Sequence, residues 1–172
     1  SDLLHINDNN ITFADYMDLE PYFRRRAAGM FTSSAGPLRE MKGAMDLIFG
    51  FVAPELQAYA DDALSKDRMS IVGLLATLDR GIIEAEEVNC ESLQKVLAKL
   101  HLRLASQLER FVQEQIKGIE QTKLTVKKRK GVVHFMRVFP VFVDRVESQL
   151  VNAETLNIRH AVDGYYAQIC RA

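Results

Sequence analysis

The sequence predicts an all-α fold: an antiparallel helical bundle of five to seven helices, one lobe of an elongated helical rod. Three observations carry this. Apolar residues recur three or four positions apart over most of the chain, the spacing of one helix face. Leu, Ala, Lys, Glu, Gln and Arg dominate the middle, where β-branched residues are sparse. No strand pattern and no glycine-rich loop interrupts these stripes.

The 172 residues, 48% apolar and 26% charged, suffice to bury a core. They read as a single helical-bundle domain over 1–172, with a less regular segment at 1–34 and the bundle at 35–172. Near Thr12 or Asp15 a short helix is capped, and Pro21 ends it. From Pro37 the stripe Leu38, Met41, Met45, Ile48, Val52, Leu56, Tyr59 and Ala63 predicts a helix. Pro54 falls inside it and predicts a kink, or else a tight joint with Pro54 opening the second helix. The stripe runs through in register, which favours the kink.

Ser65-Lys66-Asp67 closes that element, and Asp67 or Ser70 starts the next, carrying Ile71, Val72, Leu74, Leu75, Leu78, Ile82 and Ile83. Its end is acidic at Glu84, Glu86 and Glu87, against the helix dipole. The longest helix runs from about Ser92 to Lys123, with Leu93, Val96 or Leu97, Leu100, Leu104, Leu108, Phe111 or Val112, Gln115 or Ile116, and Ile119 on one face. Such a helix is a rod of roughly 45 Å and needs neighbours alongside it. After a basic joint, helices follow over His134 to Val151, with Pro140 near the start, and from Thr155 or Asn157 onward. Of Phe49 and Phe51, one is expected to lie exposed.

The net charge of −1 hides an asymmetry. Residues 1–91 hold eight Lys/Arg against sixteen Asp/Glu, and residues 92–172 hold fourteen against seven. The halves neutralise each other within one fold, or present two faces to different partners.

Catalytic and metal chemistry find no foothold. His5, His101, His134 and His160 lie far apart and form no HExxH or paired-ligand spacing. His101 and His134 read as packing or capping residues. The pairs Asp61-Asp62 and Glu86-Glu87 suit acid–base work in principle, but adjacent carboxylates on a polar helix face are ordinarily solvated. No Walker loop, GxSxG or GxGxxG is present. Cys90 and Cys170 lack CxxC spacing, and a reduced intracellular setting is the expectation. No catalytic residue, metal or cofactor is predicted.

The candidate contact is the cluster Lys123, Lys127, Lys128, Arg129 and Lys130, which ends at Gly131. It reads as a solvated inter-helix loop, with Lys127 meeting the negative end of the preceding helix, or as a contact for anionic lipid or an acidic partner helix. Aromatic residues are not interleaved with it, which disfavours nucleic acid.

The block from Phe111 through Lys123, followed by Lys128-Arg129-Lys130-Gly131-Val132, resembles the C-terminal helical region of the exocyst complex component one family. Phe139-Pro140-Val141-Phe142 with Arg145-Val146-Glu147-Ser148 is similar too, as are Arg68 to Ala76 and Asp18 to Arg26. The similarity is greatest to fungal members. These motifs are structural and cover most of the chain in patches. The resemblance implies a non-enzymatic module of the exocyst, an eight-subunit assembly that tethers secretory vesicles to the plasma membrane before fusion by SNAREs. It implies other exocyst subunits as partners, with SNAREs or small GTPases further candidates, and a cytoplasmic location, peripheral at plasma-membrane sites of secretion. Within the family, lipid and GTPase contacts belong mainly to an N-terminal domain that nothing in this chain matches. The alternative is a membrane-contact module using Lys123–Lys130 on anionic inner-leaflet lipid.

Overall fold

The computed structural model describes residues 21–22, 25–26, 43, 47, 50–125 and 130–171, the side chains of 122–136 excepted. Among them lie five α-helices and no strand: α1 (Val52–Lys66), α2 (Ile71–Glu87), α3 (Glu91–Thr125), α4 (Lys130–Glu147) and α5 (Asn157–Arg171). The all-α class follows as the periodicity requires. The cap at Thr12 or Asp15 and the start at Pro37 lie outside the described residues.

Pro21, Tyr22, Arg25 and Arg26 are helical, and Arg25 Nε donates to the Pro21 carbonyl; the segment before Pro21, where the first short helix is expected to end, lies outside the described residues. Two boundaries differ from expectation. At Pro54 the joint replaces the kink. Gly50 and Phe51 form a turn, and α1 starts at Val52 with Pro54 in its first turn, where a missing N–H costs nothing. Ala60 is buried, whereas Tyr59, expected inward, is 68% exposed. At the other boundary α4 starts at Lys130, so Pro140 sits deep inside it rather than near its beginning. The helix tolerates the lost N–H because Pro140 is on its exposed side.

The described chain divides into two compact units, residues 1–56 with 81–98, and residues 57–80 with 99–172. In the first, Val52, Ala85, Cys90, Leu93 and Leu97 are buried. The end of α2 closes on Asn89, whose φ of 56° is left-handed. Cys90 N–H bonds the Ala85 carbonyl at 2.8 Å and Asn89 N–H the Glu86 carbonyl at 3.0 Å. This paired pattern satisfies carbonyls that the helix end leaves open, and it tucks Cys90 against Ala85. Phe51, in the turn before α1, is 48% exposed, as expected for one of the two phenylalanines.

The second unit holds most of the core. Ile71, Val72 and Leu75 of α2 are buried with Leu100, Leu104, Leu108 and Val112 of α3, Val146 of α4, and Ile158, Val162 and Ile169 of α5. The α3 stripe is the one its leucine spacing predicts. Between α4 and α5, Phe139 and Phe142 each stand nearly perpendicular to the Tyr166 ring, with centroids 6.3 and 6.4 Å from it, a geometry favoured by the ring quadrupole. Arg159 joins the same two helices, donating to Glu147 at 2.7 Å and to Asp163. Tyr166 O–H also donates to Glu147, at 3.0 Å.

Candidate partner-binding surface

An open groove of about 460 Å³ lies in the second unit between α1, the 3₁₀ turn Arg68–Ser70, α2 and α3. Leu64, Ile71 and Phe111 supply its apolar floor, and Ser65, Gln107 and Arg110 its polar walls. Asp67 holds the turn that brings Arg68 to the groove. Its Oδ1 accepts from the Met69 N–H at 2.9 Å and caps the 3₁₀ turn, as an aspartate does at a helix start. Its Oδ2 accepts from Arg145 Nη2 of α4 at 2.5 Å. The turn places the Arg68 guanidinium over the Phe111 ring, 5.3 Å from its centroid, and 4.0 Å from a Glu114 carboxylate oxygen.

Two ion pairs bracket the groove. Arg68–Glu114 joins the 3₁₀ turn to α3 at one end, and Asp61–Arg103 joins α1 to α3 at the other. Arg103 and Glu114 lie eleven residues apart on α3, about 16 Å along the axis. Neither pair is buried, so each contributes on the order of 0.2–1 kcal/mol to stability. Their chief effect is to space the two walls.

One buried carboxylate ties α2, α3 and α5 together. Asp79 of α2 is 4% exposed. Its Oδ2 accepts the first-turn N–H of Ile158 at 2.9 Å and so caps α5 from a distant part of the chain. Its Oδ1 stands 3.1 Å from His101 Nε2 of α3, within ion-pair range but off the axis of a hydrogen bond. Burial alone pushes the Asp79 carboxyl up. His101 and the Ile158 N–H outweigh it and hold the group below its ordinary value of 3.8.

Next to it, Arg80 donates to the Val151 carbonyl at 2.8 Å and the Asn152 carbonyl at 3.4 Å. Asn152 takes a left-handed φ of 57°, which asparagine tolerates better than most residues. Gln149 Oε1 accepts the Gly73 N–H at 3.0 Å. A Cβ at Gly73 would lie 3.1 Å from that same oxygen. The α4–α5 connection is thus pinned to α2 at three places.

The structure treats the sequence-derived candidates unequally. Lys123 falls near the end of α3 and Lys130 opens α4, but the side chains of both, and all of Lys127, Lys128 and Arg129, lie outside the described residues. Asp61 and Asp62, read as solvated carboxylates, are exposed and pair with Arg103 and with Lys66. His101 packs against Asp79, in keeping with a packing or capping role. Asp79 itself was not singled out. The signal was present, since it stands four residues after Leu75 and three before Ile82, on the apolar side of α2. The groove gave no such signal, because its walls meet only in three dimensions.

Comparison with known proteins decides the family. The family described as exocyst complex component Sec3, C-terminal, matches residues 3–172. The chain belongs to that family. Among curated proteins, exocyst complex component 1 of Mus musculus is 22% identical over 163 residues, covering 94% of this chain and 18% of the mouse protein. This Sec3 C-terminal segment therefore spans less than a fifth of the relative's length. No solved structure matches. Within the described residues, no group of three or more His, Cys, Asp or Glu side chains is placed to hold a metal, and no helix is long and apolar enough to cross a membrane.

Proposed function

We propose that the chain is a non-enzymatic interaction module of the exocyst, a helical lobe by which a Sec3-type subunit packs against other subunits. Through that assembly it supports docking of secretory vesicles at the plasma membrane before SNARE-mediated fusion, from the cytoplasmic side. The family match over residues 3–172 carries this reading. The helical architecture agrees with it, since helices packed side by side leave long faces against which further helices can pack. The apolar gap in the second unit is only about 10 Å³, room for about one water molecule.

Purified chain mixed with each of the other exocyst subunits tests the proposal. Retention of at least one subunit through gel filtration is expected. If every subunit elutes separately while circular dichroism shows the chain folded, the assembly reading fails. Cosedimentation with phosphatidylserine vesicles, with Lys127, Lys128, Arg129 and Lys130 each changed to Glu, forms the second arm. Salt-sensitive vesicle binding that this variant abolishes, without subunit capture, would favour the membrane-contact alternative.

A further inference from the structure

The second unit has sixteen Lys/Arg and eleven Asp/Glu, a net charge of +5. Around the groove its carboxylates are engaged within the fold. Asp61 meets Arg103, Asp62 meets Lys66, Asp67 meets Arg145 and Glu114 meets Arg68. Of the exposed α3 charges of this unit that form no ion pair with another described residue, Glu120 is anionic and the others are cationic. Lys99, Arg110 and Lys117 are exposed on α3 and form no ion pair with another described residue.

Their spacings of eleven and seven residues bring them within about 20° of one another around the helix. They form a ridge about 27 Å long on the helix that supplies one wall of the groove, and Arg110 itself lines the groove. Beside the ridge lies the apolar floor of Leu64, Ile71 and Phe111, left open at about 460 Å³.

From this we propose that the groove docks an acidic amphipathic helix of a partner polypeptide. Its apolar stripe would rest on Leu64 and Phe111, and its flanking carboxylates would meet Arg110 and Lys117. A fourth helix laid against α1, α2 and α3 extends the bundle by the packing that already builds it. Unengaged cations beside an apolar floor favour an acidic partner over a basic one, because like charges set against Arg110 would be repelled. The inference deepens the reading above and rests on it, in that the partner is another polypeptide.

A fluorescein-labelled peptide of about 20 residues tests it, with leucine at every third or fourth position and glutamate elsewhere, titrated against the whole chain by anisotropy. Two controls accompany it: the same leucine pattern with lysine for glutamate, and the glutamate peptide interrupted by a central proline. Saturable binding of the intact glutamate helix is expected. The double variant R110E/K117E should weaken it about tenfold or more, and should flatten its salt dependence. Arg171→Glu, on α5, should change it by less than about twofold.

Equal binding of the lysine helix or of the interrupted peptide overturns the proposal, as does equal weakening by Arg171→Glu. So does an absence of peptide binding. Self-association of the chain that R110E/K117E abolishes would assign the groove to a second copy instead. Phosphatidylserine-vesicle binding lost in that variant, without peptide binding, would assign it to a membrane. If R110E/K117E loses helical signal, the pair Arg110→Gln and Lys117→Gln carries the comparison. Peptide binding without capture of any exocyst subunit would leave the groove standing and remove only the assembly reading.

Discussion

Asp79→Ala is expected to destabilise the chain by about 2–3 kcal/mol, because it removes a cap and leaves a buried N–H at Ile158 without its acceptor. Chemical denaturation followed by circular dichroism measures this, and the thermal midpoint should fall by about 5–10 °C. Asp79→Asn keeps an acceptor oxygen of the same shape and should fall between wild type and Asp79→Ala. A loss under about 0.5 kcal/mol for Asp79→Ala would show that the carboxylate does not hold α5 in place.

The same residue sets the acid limb. Asp79 is held below its ordinary value by His101 and the Ile158 N–H, against burial. Glu147 and Asp163 are lowered chiefly by their hydrogen bonds to Arg159. A carboxyl depressed in the folded state is more basic when unfolded, so its stabilisation is present above the unfolded value and is lost as pH falls through the folded one. The ordinary values are 3.8 for Asp and 4.5 for Glu. Stability should therefore hold above about pH 5 and decline below about pH 4. In Asp79→Asn that decline should be shallower, and a parallel decline would rule out an ionised Asp79.

The larger effect is expected at Leu104→Ala. Leu104 is fully buried midway along α3, between Leu100 and Leu108 on the stripe that faces the core of the second unit. Deleting a buried leucine removes its transfer free energy and leaves a cavity, about 3–5 kcal/mol together. The loss should appear in denaturant midpoint with the slope unchanged. Leu102→Ala makes a sharp control. Leu102 is two residues away but 68% exposed, so its change should stay within about 0.5 kcal/mol. Similar losses at both positions would contradict the assigned face of α3.

That pair of leucines also shows what the sequence makes legible. Helix faces are local: residues three and four apart must share a side whatever surrounds the helix, so the α3 stripe could be read directly. Helix ends were harder. Pro54 lay in register with apolar residues on both sides, and that pattern cannot distinguish a kinked helix from a new one at Val52. Tyr59 and Ala60 both fall at helical spacing from Leu56, and only the packed helix shows that Ala60 is the buried one. At α4 the glycine and lysines before His134 masked an earlier start at Lys130.

The candidate surface was less visible. Asp79 interrupts an apolar stripe, a departure that signals a buried partner without naming it. His101 and Ile158, its two neighbours, stand 22 and 79 residues away. The groove is farther still from local pattern. Arg68 stacks on Phe111, and Asp61 reaches Arg103, only because helices distant in sequence lie side by side. The cluster Lys123–Lys130 attracted notice because its charges are contiguous. By contrast, Lys99, Arg110 and Lys117 align only once the helix is wound.

Amide hydrogen exchange on the chain, alone and within the assembled exocyst, tests the central claim most directly. The account predicts slower exchange in the assembly over residues 59–66 of α1 and 107–117 of α3, the two walls of the groove. Unchanged exchange along both walls, with slowing confined to other parts of the chain, would contradict it.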